Sequence, residues 1–260
     1  MRHALYFVPA PETALARLGA DWLGCPRGDT QPGPAPDVPS IAPARLEALT
    51  RAARRYGFHA TLKAPFRLAD GRTEAHLADA LDAFSAATAP VIWQTPVIAR
   101  RKDGFVLAPE PPRVPEIDAL ANRIVRVFDP FRAPPTPADL ARRHAEALTP
   151  REEQLLARWG YPHVMSAFRF HMTLTAAVTD PMEQAALAAA LDRHFAPVLG
   201  VPVRIDRIAL CVEDQEPGPF RVAGIWSLTG KPVAAATPEA AKTFPPGDGR
   251  GRGKSAGLRI

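Results

Sequence analysis

Phe58-His59-Ala60-Thr61-Leu62-Lys63-Ala64-Pro65-Phe66 reads as a short β-strand, and it has a counterpart in Phe170-His171-Met172-Thr173-Leu174-Thr175. Residues i and i+2 of a strand share a face. His59 with Thr61, and His171 with Thr173, therefore project together, while Ala60, Leu62, Met172 and Leu174 turn into a core. Two matched pairs of imidazole and hydroxyl groups follow from this pattern.

Working outward, the same order of elements surrounds both segments. After the first histidine strand the spacing predicts a helix near Glu74 to Ala87, a strand near Val91 to Ala99, an Asp103-Gly104 hairpin and a strand from Phe105 to Ala108. After the second, His171 to Ala177 is a strand, Glu183 to Phe195 a helix, and Val203 to Val212 and Phe220 to Leu228 are strands. His171 follows His59 by 112 positions and Val203 follows Val91 by 112, which points to a duplicated unit. The expected fold is α+β: two lobes related by a pseudo-twofold axis, each an antiparallel-rich sheet with helices outside, around a central cleft that carries both motifs. An N-terminal lobe over about 1–112, a helical connection over 113–160 and a C-terminal lobe over 161–230 make up the expected domain. Before the first histidine strand, residues 2–8 read as a strand, Pro11 to Leu23 and Pro43 to Arg55 as helices, and Gly24 to Pro39 as a surface loop rich in Pro and Gly. In the connection, Pro115 to Phe128 is helical, and Ala138 to Trp159 forms two helices divided at Thr149-Pro150.

The chain has 260 residues, 47% of them apolar, which suffices for a sizeable core. Its formal net charge of +5 invites a nucleic-acid reading, but the surplus is local. Residues 231–260 hold six Lys or Arg against two acids, leaving 26 against 25 in residues 1–230. That last segment has the composition of a disordered basic tail. Cys25 and Cys211 lack partners at metal or redox spacing, and no apolar run reaches membrane-spanning length. A reduced, cytoplasmic setting without membrane association is expected.

Two His-x-Thr-apolar motifs about half a chain apart resemble those of the two-histidine phosphoesterase superfamily. The string Arg55-Tyr56-Gly57-Phe58-His59-Ala60-Thr61-Leu62-Lys63-Ala64-Pro65-Phe66, with Phe168-Arg169-Phe170-His171-Met172-Thr173-Leu174, is similar to a bacterial branch named for phosphonate metabolism. The resemblance covers roughly residues 1–230. It implies a cytoplasmic bacterial hydrolase of the cyclic phosphodiesterase type, without cofactor or metal. His59 and His171 would be its catalytic acid and base, and Thr61 and Thr173 would bind the phosphate.

The residue types suit that chemistry. Opening a cyclic phosphodiester requires one group to take a proton from water and another to give one to the departing alkoxide. Imidazole, titrating near pH 6.5, can supply one of each near neutrality. Threonine hydroxyls can donate hydrogen bonds to phosphate oxygens as charge shifts. Strand parity adds Lys63 and Arg169 as further phosphate ligands, and Tyr56 and Tyr6 as groups that could stack on a substrate ring. Against this stands the ordinary role of a histidine that opens a strand, which is hydrogen bonding within the structure. The repeat shifts that balance towards catalysis. His76, His144 and His194 fall on polar helix faces, while His3 and His163 could approach the cleft although nothing in their spacing favours it.

Three functional readings follow. The leading one is metal-independent hydrolysis of a small cyclic phosphodiester in phosphonate catabolism. A second keeps the site but acts on RNA ends bearing a 2',3'-cyclic phosphate; the near-neutral body disfavours it, because RNA binding draws on a basic groove. A third is a module that binds a phosphorylated ligand without turning it over.

Overall fold

The computed structural model describes residues 1–25, 36–144 and 147–230. The tail expected over 231–260 and most of the Pro-rich loop expected over Gly24 to Pro39 lie outside these residues, as does the side chain of His144. The strands are β1 (Arg2–Phe7), β2 (Ala60–Phe66), β3 (Val91–Trp93), β4 (Pro96–Arg101), β5 (Gly104–Pro109), β6 (Met172–Thr173), β7 (Val203–Ile205), β8 (Arg207–Glu213) and β9 (Arg221–Ser227). The helices are α1 (Ala14–Leu23), α2 (Pro43–Arg54), α3 (Glu74–Ala86), α4 (Pro115–Val127), α5 (Pro137–His144), α6 (Pro150–Trp159) and α7 (Pro181–Phe195). The architecture is α+β, as the alternation of periods predicts.

Seven strands form one antiparallel sheet in the order β4-β5-β6-β2-β1-β8-β9, and β3 pairs with β7 in a second, two-stranded sheet. The repeat is visible here. β2 with β6, α3 with α7, β3 with β7 and β4 with β8 hold matching places about the β2–β6 seam. The last strands of the two units do not match. β5 lies inside the sheet between β4 and β6, whereas β9 is the outer edge beyond β8, because β1 fills the place equivalent to β5. Strands from the two halves of the chain therefore interleave.

Helices cover the face of the sheet that carries Ala60, Leu62, Met172 and Leu174, all four buried as parity requires. α4 shows how sequence builds that cover. Pro115 sits at its first turn, where a missing N–H costs nothing. Ile117, Leu120, Ala121 and Ile124 then fall on one stripe, buried against β2 and β3. α6 is set by its ends: Thr149 and Glu152 form a reciprocal capping box, and Gly160 takes a left-handed φ of 71°. That turn delivers Tyr161 and His163 to the open face of the sheet.

Two local expectations are corrected. The strand expected over His171 to Ala177 is only Met172–Thr173, because the chain leaves the ladder at once. The N–H groups of Leu174 and Thr175 both donate to the Phe105 carbonyl, and Ala176 donates to Leu49. The hairpin loop is Lys102-Asp103, not Asp103-Gly104: Arg101 pairs with Gly104, and φ is 46° at Lys102 and 63° at Asp103. Gly104 is needed for closeness instead. A Cβ there would stand 2.8 Å from the Thr175 carbonyl oxygen, which is backbone. Gly104→Ala is expected to destabilise the protein by about 1–3 kcal/mol through overpacking, read as a lower urea midpoint. An unchanged midpoint would show that the β5–β6 contact yields freely.

Candidate active site

The two motifs meet because β2 and β6 are neighbours, with Ala60 paired to Met172. Continuing this antiparallel register by one residue sets His59 opposite Thr173 and Thr61 opposite His171. Directly opposed side chains on one face have Cβ atoms about 4.5–5.5 Å apart. Each imidazole is thus flanked by the threonine of the other motif. All four residues line a single cleft of about 700 Å³, a volume suited to a small-molecule ligand.

Each ring is oriented in the same way. His59 Nδ1 donates to the Gly57 carbonyl at 3.0 Å, and His171 Nδ1 donates to the Arg169 carbonyl at 2.7 Å. A carbonyl can only accept, so Nδ1 carries the proton in the neutral ring and Nε2 keeps its lone pair. The Thr61 hydroxyl donates to His59 Nε2 at 3.2 Å. His171 Nε2 makes no hydrogen bond among the described residues. Tyr6, on β1 beside Thr61, stacks on the His59 ring at 3.9 Å.

Burial drives His59 down to about 4; the bond to Gly57 opposes this, and the nearby His171 charge adds to it. His171 also falls to about 4, through burial first and then, against its bond to Arg169, the charges of Arg101, His163 and Lys102. The expectation of one charged and one neutral ring near neutrality is corrected by this desolvation: in the folded chain both are neutral. Unfolded imidazoles titrate near 6.5, so between that pH and about 4 the unfolded chain binds more protons than the native one. Native stability from these groups is therefore full above pH 6.5 and declines as the solution is acidified through that window. Proton NMR is expected to show both rings neutral down to about pH 5, with inorganic phosphate moving both titrations upward. Rings titrating near 6.5 in the free protein would contradict this account.

Not every residue expected here arrives. Arg169, Tyr56 and Tyr6 line the cleft. Tyr56 stacks on Phe220 at 5.1 Å, and Tyr6 is fully buried, which pushes its phenol well above the usual range. Lys63 does not line the cleft. β1 pairs Tyr6 with Thr61 but Leu5 with Lys63, so β2 bulges at that point and its alternation shifts. Lys63 is buried instead, 3.7 Å from Asp129, and burial lowers it to about 8.

His163, which could approach the cleft, does line it, whereas sequence reasoning missed Arg2, Arg55, Arg101 and Lys102, which line it too. Only the positive φ at Lys102 distinguishes one of them locally, and that is a property of the backbone, not of the sequence. His3 is buried against Glu74 and His194 bonds the Leu18 carbonyl, so neither joins the site. Cys25 and Cys211 are buried and form no disulfide. Among the described residues no three His, Cys, Asp or Glu side chains are grouped as a metal site requires, and no helix is long and apolar enough to cross a membrane.

The fold and site together define an antiparallel α+β protein with a two-histidine cleft. The chain belongs to the family described as protein of unknown function DUF1045, whose model matches residues 61–221. It is 38% identical over 246 residues to a protein of Janthinobacterium sp. (strain Marseille) named ribose 1,5-bisphosphate phosphokinase PhnN, covering 94% of this chain and 54% of that protein. A protein of the same name from Laribacter hongkongensis (strain HLHK9) is 33% identical over 236 residues, 88% of this chain and 52% of its own. The chain spans about half the length of these curated relatives. The crystal structure of TT0787 of Thermus thermophilus is similar at a TM-score of 0.42 and 16% identity, over 89% of this chain and 100% of that one.

These relatives correct one expectation. The resemblance implied a phosphoric diester hydrolase of the cyclic phosphodiesterase type, whereas both curated relatives are named phosphokinases, enzymes of phosphoryl transfer. The hydrolase class is accordingly set aside.

Proposed function

We propose that the cleft binds a small phosphorylated sugar of phosphonate metabolism, and that His59 and His171 handle the protons of a phosphoryl transfer between that sugar and a nucleoside triphosphate, the attacking oxygen bonding to phosphorus as the bond to the leaving oxygen breaks. The observation that carries this reading is the Ala60–Met172 pairing, which brings both imidazoles and both threonines to one cleft floor. In such a displacement one imidazole takes the proton of the attacking oxygen and the other supplies one to the leaving oxygen. His171, whose Nε2 is not engaged by a described residue, is placed to take the proton. His59, bonded through Nε2 to Thr61, is placed to supply one once an anion between the rings has raised its pKa. Thr61 and Thr173 donate hydrogen bonds to the non-bridging oxygens. The sugar phosphate in the relatives' name and the sequence resemblance to phosphonate metabolism proteins support the substrate class.

The test is a phosphorus NMR time course of the purified chain with ribose 5-phosphate or ribose 1,5-bisphosphate, each with and without ATP. A changed sugar-phosphate resonance that requires ATP and disappears in the His171→Gln variant is the expected result, whereas a change without ATP would be hydrolysis and would contradict the proposal. Unchanged spectra under all four conditions over hours would sink the proposal.

A further inference from the structure

Two pairs of arginines around the cleft differ in how their charge is met. On one wall Arg2 and Arg55 converge on Glu213, whose side chain is fully buried, and Arg2 also meets Glu216 at 3.1 Å. Their charge is already matched. On the His171 side, Arg101 and Arg169 have no carboxylate within 4.0 Å among the described residues. Arg101 Nη1 donates to the Arg169 carbonyl at 3.3 Å and lies 3.4 Å from His171 Nδ1. Arg169 Nη1 donates to the carbonyls of Ser166 and Phe168 at 3.0 and 2.6 Å. The Nε and Nη2 groups of both side chains bond no described residue.

Two neighbouring guanidiniums repel each other, and burial together with the Arg169 charge lowers the Arg101 pKa. Each nevertheless keeps an unused Nε–Nη2 edge, the fork that matches two oxygens of a phosphate. The Arg101 guanidinium and the Arg169 carbonyl meet His171 on its Nδ1 side, away from Nε2. We infer that Arg101 and Arg169 form a second anion subsite, which holds a phosphoryl group of the substrate other than the one between His59 and His171. The substrate class is then a small sugar carrying two phosphoryl groups. This inference rests on reading the two-histidine floor as the reacting centre, and the cleft volume leaves room for a sugar between two such groups.

Isothermal titration of the whole chain with glucose 1,6-bisphosphate and glucose 6-phosphate tests it. The protein is expected to prefer the bisphosphate by about tenfold or more, the scale of a charge-assisted hydrogen-bonded contact. In the Arg101→Gln/Arg169→Gln variant the preference is expected to fall to within about threefold of parity. Should that variant fail to fold, either single variant decides, since losing one fork is expected to cut the preference about threefold or more. No preference in the unmodified protein, or a preference the variants keep in full, overturns the inference. The result is separable from catalysis: preference without turnover would leave the subsite standing and sink the two-histidine mechanism, and turnover without preference would do the reverse.

Discussion

Replacing His171 with glutamine is expected to lower turnover by about 10² to 10⁴, the range in which a positioned proton-transfer group contributes. His59→Gln is expected to lose as much, and the double variant little more, because the two rings act on one displacement. Glutamine suits this test because it fills a similar volume and can still donate to the Gly57 or Arg169 carbonyl, yet it does not titrate near neutrality. The fold should survive, since the buried face of the β2–β6 seam is built by Ala60, Leu62, Met172 and Leu174. Circular dichroism and a urea midpoint close to that of the unmodified protein would establish this. Full activity in both single variants would remove the imidazoles from the chemistry.

Glu213→Ala is expected to destabilise the protein by about 3 kcal/mol in urea unfolding, the low end for breaking a buried ion pair, because Arg2 keeps Glu216 and Arg55 is part-exposed. The Glu213 carboxylate is fully buried and accepts from Arg2 at 2.6 Å, from the Gly218 N–H at 2.9 Å and from Arg55. Burial pushes its pKa up, but the Gly218 bond and the two guanidiniums more than offset that, so it lies below the usual carboxylate range. A depressed carboxylate contributes stability that is present above its unfolded pKa and lost as pH falls through its folded one. The gap between Glu213→Ala and the unmodified protein should therefore be widest near neutrality and narrow in acid. A gap independent of pH would mean that packing, not charge, accounts for the loss.

Much of this was legible because period-2 and period-3.6 patterns are local. The two His-x-Thr strands declare their faces within three residues each, and α6 announces both its start at Thr149-Pro150 and its end at Gly160. The helices of both repeat units follow from the same apolar spacing. What was not legible is non-local. Lys63 has the right parity for the cleft and misses it, because register with β1 inserts a bulge between Thr61 and Lys63. The short β6 follows from a shared acceptor on Phe105, some seventy residues away in sequence. The equivalence expected between β5 and β9 fails because a strand from the amino terminus, β1, takes the place beside β2. The arginines of the cleft are dispersed singly along the chain, and only the folded topology collects them.

The order β4-β5-β6-β2-β1-β8-β9 also bears on how the cleft is assembled. Residue 172 must come next to residue 60 before either ring has its counterpart, a long-range meeting that carries a loop-closure cost. Laced in this way, the polypeptide has no half that holds all four residues of the cleft floor on its own: the floor exists only once the seam closes.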